Sequence, residues 1–361
     1  RRDANGDVDV HFDGIGVTFG TPGAFCVGVS IAWDSHRHAL SGTGHLDISA
    51  LDIRLDVVFE AAQEDGVTTL FVTAETDLIP GGIPIGATGL CLYRVSGLLA
   101  HNKAIKLTST GPRRYFEAFK QEPAGFASLS KWETHEGAEA LAIGVVVGTA
   151  DDGWMFSVRG GLLLSIPDLA ILVTASAQLL DERPSMTEAG SAKLAAVLAL
   201  LPAERLLRLD FEAEWKEPHL FEVQASGFGE FHFDQPLDWR LQLGEHPDRG
   251  RPVSARVIEL AGNWLLTADY WFGLAPASGT SVGARTGLSL RAGGGSVYAE
   301  IVGTAEAYLD LFWKPSQLDG GITLQARGRL AAGPISIAFS IGAAPSVSID
   351  HPLKVEIPLE A

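Results

Sequence analysis

The sequence predicts an all-β fold of long, twisted, mostly antiparallel strands, arranged as a sandwich or an incompletely closed barrel, with one short helix. Alternation is the first indication, because from Leu209 to Lys216 every odd residue is apolar and every even one is charged. A strand places such side chains on opposite faces of its sheet. The second indication is the spacing of turn-forming residues, because 41 glycines and 18 prolines separate short apolar runs. That spacing is typical of a protein built from many strands.

The strand signals fall into two regions joined by a less regular stretch. Residues 1–107 form the first β region and residues 135–361 the second. Between them, residues 108–134 lose the alternation, so we expect a connecting or inserted loop there. The two regions are also compatible with one continuous β domain. In chain order, the predicted strands cover residues 8–12, 15–19, 25–33, 44–60, 68–77, 140–147, 154–165, 170–180, 208–216, 220–227, 229–233, 239–243, 256–260, 262–270, 283–292, 297–313, 320–330 and 335–349.

Turn chemistry and side-chain parity justify individual strands. The in/out parity of the first two strands switches across Gly14, as a β-bulge would switch it. The pair Asp152–Gly153 is a hairpin-turn signal between the strands at 140–147 and 154–165. In the strand over 44–60, apolar and charged residues alternate around Arg54. We expect the polar face of this strand to be exposed to solvent.

One helix is predicted over residues 187–201. Leu194, Val197, Leu198 and Leu201 follow the spacing of a helical stripe, and Pro202 stops the pattern. We expect this helix to cover a sheet face or a sheet edge.

Composition excludes several classes of partner. The formal charge is −17, and the 27 Lys and Arg residues are scattered, whereas nucleic acid binding requires clustered positive charge. No apolar run is long enough for a helical membrane span. The chain begins with Arg and shows no signal peptide, which is compatible with a cytoplasmic location or with export as part of a larger protein. Cys26 and Cys91 are expected to be buried, unpaired thiols, and a disulfide between them is the alternative.

No catalytic motif is found, and only weak metal candidates are present. His36 and His38 would point the same way on a strand, together with Asp34. The ordinary alternative is a polar hairpin turn between two apolar strands. We therefore predict no metal site, no catalytic residue and no cofactor.

Aromatic residues are the better candidates for ligand binding. The chain contains eight tryptophans, and such rings serve either as stacking platforms or as core. Trp154 follows the Asp–Gly turn, and Trp264 lies close to Tyr270 and Trp271. These four residues are the ones expected at an exposed ligand-binding rim.

Several passages resemble a known family. Residues 79–102, IPGGIPIGATGLCLYRVSGLLAHN, resemble a PGGIPLGxTGLxLYxxxGL run in an uncharacterised β-rich bacterial and fungal group, the domain-of-unknown-function family numbered 6603. Similar to other blocks of that family are residues 131–132, 148–154, 160–167, 238–244 and 313–315. The resemblance implies a module of a long multi-domain bacterial protein and assigns no catalytic residue. Arg94 departs from the pattern, since a smaller residue is expected after Tyr93.

Together these observations predict a non-enzymatic structural or binding module of a larger bacterial protein or assembly. Its partners would be the other domains of the same polypeptide. Because the chain is 46% hydrophobic yet carries 44 acidic residues, a curled sheet could hold a lipid or other hydrophobic ligand on its apolar face. The alternative is that this face is packed core.

Two rival classes stay open. One is a glycan-active hydrolase or carbohydrate-binding domain, in which distant carboxylates such as Asp52 or Asp151 act beside Trp154 as a sugar platform. The other is a membrane-associated β-barrel, which the alternation and the strand lengths permit.

Overall fold

Antiparallel strands make up most of the molecule. The computed structural model describes residues 14–21, 24–49, 53–78, 81–120, 128–180, 194–235, 237–260, 263–294, 296–313, 316–332 and 335–349. The all-β class is confirmed, and the strand pairs described below are all antiparallel. The chain divides into two compact units, Arg1–Glu204 and Arg205–Ala361, named here the N-terminal unit and the C-terminal unit. The division expected at residues 108–134 stays a prediction.

The N-terminal unit is a meander in which nearly every strand pairs with the next one along the chain. β5 and the short β6 lie end to end on the same side of β7. Its strands are β1 Ile15–Thr21, β2 Phe25–Asp34, β3 Ala39–Ile48, β4 Ile53–Glu64, β5 Val67–Asp77, β6 Ile83–Pro84, β7 Leu90–Ile105, β8 Trp132–Thr149, β9 Phe156–Ile166, β10 Ala170–Leu179 and β11 Leu194–Leu201. The unit also contains helix α1, Arg114–Phe119, and the 3₁₀ turns Leu129–Lys131 and Pro202–Glu204.

The C-terminal unit continues the same antiparallel plan. β14 and β15 share the space between β13 and β16, and β20 and β21 share one side of β19. Its strands are β12 Leu206–Glu217, β13 Phe221–His232, β14 Trp239–Leu243, β15 Val253–Leu260, β16 Asn263–Ala275, β17 Gly279–Gly294, β18 Val297–Trp313, β19 Ser316–Ala332, β20 Ile335–Ala343 and β21 Ser346–Ile349.

The predicted position of the helix is wrong over residues 194–201, which form strand β11 and pair with β10. Residues 187–193 lie outside the described part of the chain. A run composed only of Leu, Ala and Val satisfies helical spacing and strand alternation equally well, so pairing with β10 decides its structure. The short helix is instead α1, inside the expected loop, where it buries Phe116 and Phe119.

Alternation gives the N-terminal unit one apolar face. Residues directly opposite each other form a row across ten strands from β1 to β11, and this row defines the N-terminal apolar face. The row consists of Val17, Val29, Gly44, Val57, Ala74, Gly97, Ile143, Leu162, Val173 and Leu198.

The C-terminal unit has the same two-faced character. Its apolar face, named the C-terminal apolar face, includes Leu209, Phe211, Val223, Val257, Leu266, Leu288, Ile301, Leu324 and Ile337. The opposite surface, named the C-terminal charged face, includes Arg208, Asp210, Glu222, Arg256, Asp269, Arg285 and Glu306.

The charged face is the more buried one at β12. Asp210 is 3% exposed, whereas its neighbour Leu209 is 40% exposed. Arg208 donates to both oxygens of Asp210, at 2.7 and 2.8 Å, and also binds Glu230. The Arg208 guanidinium lies 4.6 Å from the Phe228 ring centroid. A two-pronged ion pair of this kind offsets the cost of removing charge from water.

A matched pair of leucines tests this assignment of faces. Leu163 and Leu162 are consecutive in β9, and they are 0% and 45% exposed. We expect Leu163→Ala to lower the free energy of unfolding by about 2–5 kcal/mol, because it leaves a cavity. Leu162→Ala should cost about 1 kcal/mol or less, because that side chain is already half in water. Urea unfolding measures both, and equal losses would contradict the assignment.

Candidate functional site

An apolar groove on the C-terminal apolar face is a candidate site. Its volume is about 740 Å³, within the roughly 300–1,000 Å³ typical of small-molecule sites. Alanine, glycine, valine, leucine, isoleucine and threonine line it together with Gln325, and no charged side chain does. The groove is therefore suited to an uncharged, apolar ligand.

Strand register explains the shape of the groove. Two adjacent rows of opposed residues cross the sheet from β15 to β20, and together they form its floor and walls. The first row is Ala255, Ala268, Thr286, Ala305, Leu324 and Ala343, and the second is Val257, Leu266, Leu288, Gly303, Ala326 and Ile341. The first row is small except for Leu324, and in the second row Gly303 and Ala326 lie between Leu288 and Ile341, which leaves a depression between bulkier neighbours.

The groove is elongated because it runs across the strands. It crosses six strands, so five interstrand steps of about 4.8 Å give a length of about 24 Å. A long, narrow depression of this kind matches an extended hydrocarbon chain better than a compact ligand.

Two of the four aromatic candidates from the sequence flank this groove. Trp264 lies two residues before Leu266 on β16, and Tyr270 lies two residues after Ala268. Alternation along a strand therefore places both rings on the C-terminal apolar face, one on each side of the groove rows. Tyr270 is 47% exposed.

The other two aromatic candidates lie elsewhere. Trp271 follows Tyr270 directly, so it points to the C-terminal charged face, where it is only 4% exposed and not at a rim. Trp154 belongs to the N-terminal unit and is 51% exposed beside the turn at Asp151. The four residues therefore do not form one platform.

The carboxylates considered for glycan hydrolysis do not meet at one site. Asp151 accepts hydrogen bonds from the Thr149 hydroxyl and from the backbone N–H of Met155. The Thr149 hydrogen bond lowers the pKa of Asp151, so this carboxylate is tied into its own turn. Asp52 lies outside the described residues.

The histidine candidates lie in a turn between β2 and β3 and not on a strand. Asp34 accepts the backbone N–H groups of His36 and Arg37 at 2.9 and 3.1 Å, which closes that turn. The ring of His38 contacts Trp33, at 6.5 Å between centroids. Across the described ranges, no group of three or more His, Cys, Asp or Glu residues could hold a metal ion. Cys26 and Cys91 are free thiols.

Sequence reasoning did not identify the residues that line the groove. Its floor consists of alanine and glycine, residue types that carry no chemical signal of their own. The available signal was the placement of these small residues at alternate positions of neighbouring strands, and it becomes readable only when the register between strands is known.

A charged cluster lies on the opposite, buried side of the N-terminal unit. Arg94 forms ion pairs with Glu75, at 2.9 Å, and with Asp77, which explains how an arginine is accommodated at this position. Burial raises the pKa of Glu75, although Arg94 acts in the opposite direction. Burial and the nearby charge of Arg94 lower the pKa of Arg159 to about 10, so Arg159 is charged at neutral pH.

The buried position of Glu75 predicts how the stability of the folded protein depends on pH. Because the pKa of Glu75 is raised above 4.5 in the folded state, the folded protein binds the proton more tightly than the unfolded chain. Glu75 therefore removes stability as pH rises from 4.5 through the raised pKa. We expect Glu75→Gln to be more stable than the wild type near pH 7, and the difference to disappear near pH 4.

Urea unfolding at the two pH values measures the effect of Glu75→Gln. Glu133→Gln, at an exposed carboxylate of β8, controls for the loss of one negative charge. If both variants changed stability equally at both pH values, burial of Glu75 would not be the cause.

None of the described helices is long and apolar enough to cross a membrane. Comparison with family models, curated proteins and solved structures finds no match to this chain. The resemblance of residues 79–102 to the uncharacterised family therefore stays a resemblance.

Proposed function

We propose that this chain is a non-enzymatic binding module of a larger bacterial protein or assembly, and that its C-terminal unit holds a lipid acyl chain. The observation that carries the proposal is the groove of about 740 Å³ whose lining contains no charged side chain. The module would act together with other domains of the same polypeptide.

Exposure of the groove lining supports the proposal. Leu266, Leu324 and Ile341 line the groove and are 45%, 50% and 73% exposed. Apolar surface left in water is unfavourable, and large contiguous apolar patches mark ligand or partner sites. A bound hydrocarbon chain would cover these residues and gain about 0.8 kcal/mol for each buried methylene group.

The absence of charge in the groove lining limits the part of the ligand that it can hold. A headgroup phosphate or carboxylate placed among these residues would lose its hydration without gaining a partner. Thus only the hydrocarbon portion enters the groove, and the polar end of a lipid stays in solvent beyond it.

Two measurements test the proposal, and the first concerns the protein as purified. We expect native mass spectrometry of detergent-free protein to show a stoichiometric adduct, and solvent extraction to release a lipid. A clean polypeptide mass with no adduct would contradict an endogenous ligand in that preparation and would favour a scaffold role.

The second measurement fills the groove. Gly303 lies in the second groove row, and an added Cβ would approach only the Gln325 carbonyl oxygen, at 4.0 Å. Gly303→Leu is therefore expected to fold and to occupy the floor with its side chain. We predict that it weakens binding of a fluorescent fatty acid by about tenfold or more, because roughly two methylene contacts are lost.

Gly342→Leu is the matched control for Gly303→Leu. Gly342 lies on β20 between the groove residues Ile341 and Ala343, so alternation directs an added side chain to the C-terminal charged face. An added Cβ there also meets no atom closer than 3.7 Å. Its affinity for the fatty acid should equal that of the wild type. Unchanged affinity in Gly303→Leu, or equal weakening in both variants, would contradict the groove as the site.

A further inference from the structure

We propose that the C-terminal unit has a second ligand site, a pocket that binds a small organic anion through carboxylate or phosphate oxygens. The pocket, named the polar pocket, has a volume of about 450 Å³ and is lined by Arg240, Gln242, Arg249, Trp271 and Thr280 among others. It shares no lining residue with the apolar groove, so the two sites are independent.

Local backbone geometry builds the pocket. Arg240 and Gln242 alternate with apolar residues on β14, so both face the charged side of the unit. At Gly244 the chain leaves the strand with φ of +62°, and an added Cβ would lie 2.5 Å from the Val253 nitrogen. Only glycine fits that turn, which directs the following loop, with Arg249, over the pocket.

The pocket presents hydrogen-bond donors that lack partners. Within the described part of the unit, neither Arg240 nor Arg249 has a carboxylate within 4.0 Å. The indole N–H of Trp271 is buried and has no acceptor among the described residues. This nitrogen is enclosed by protein atoms, so the two arginines are the donors that a ligand in the pocket reaches.

Of the carboxylates near the pocket, that of Glu306 is already paired. Glu306 is bound by Arg285 and lies 3.6 Å from Nε2 of His246. The His246 ring in turn stands edge-on against Trp271, with 4.7 Å between centroids. Glu245 also lines the pocket, and its carboxylate lies against Gly250 in the loop without a basic side chain within 4.0 Å among the described residues.

The chemistry of the donors identifies the ligand class. Guanidinium groups bind carboxylate and phosphate in a two-pronged geometry, and they have no acceptor to offer a cation. In a chain with 44 acidic and 27 basic residues, two arginines without carboxylate partners at one pocket favour an anionic ligand. The volume of the pocket fits a molecule of metabolite size.

The test is calorimetric titration of the intact chain, separately with inorganic phosphate and with citrate, at constant ionic strength. We expect saturable binding of at least one anion. The anion that binds with the higher affinity identifies phosphate or carboxylate as the recognised group. Arg240→Gln and Arg249→Gln should each weaken that binding by about tenfold, because each removes one charge-assisted contact.

Arg327→Gln is the matched control. Arg327 is an exposed arginine on β19 of the same unit, it lies outside the polar pocket, and its substitution removes the same charge. The affinity of this variant should equal that of the wild type. If neither anion bound saturably, or if Arg327→Gln weakened binding as much as Arg240→Gln, the polar pocket would not be an anion site. Thermal melting of each variant confirms that it is folded. Because Arg249 lies on a loop, its substitution does not interrupt a strand.

Discussion

The antiparallel hydrogen-bond ladder is the constraint on which each unit depends. Every backbone pair in these meanders fixes which residues oppose each other, and therefore which side chains share a face. Apolar residues such as Ile143 and Leu266 stay about half exposed, so they contribute less than fully buried side chains would. The stability of the fold therefore depends more on the hydrogen bonds between neighbouring strands and on the side chains of the opposite, more buried faces. In the N-terminal unit that buried side contains Phe71, Leu163 and Leu172.

Burial of charge accompanies this arrangement. Arg208 and Arg94 both lie on buried faces, and each engages two carboxylates. At Arg208, removing one partner would leave an uncompensated buried charge, which is far more costly than losing an exposed ion pair. At Arg94 the balance differs, because burial raises the pKa of its partner Glu75 despite the attraction of Arg94. The ion pairs therefore help to set which face of the sheet is enclosed.

One strand, β16, connects the two proposed sites through its alternation. Tyr270 lies on the apolar side next to the groove rows, and Trp271 lies on the charged side in the wall of the polar pocket. A single sheet thus offers an apolar depression on one surface and a donor-rich pocket on the other. Such a module could bind two chemically different ligands without competition between them, because no residue serves both sites.

The all-β class, most strands and the separation of apolar from charged faces follow from the sequence alone, because period-two alternation is a local property of the chain. The sequence also marked Trp264 and Tyr270, which flank the groove. Tertiary structure decided the rest. Residues 194–201 became a strand because β10 was available to pair with them, and alternation at β12 could not reveal that Asp210 would be buried and Leu209 exposed. Likewise, the groove exists only because register places small residues from β15 to β20 side by side, and register is a relation between distant segments.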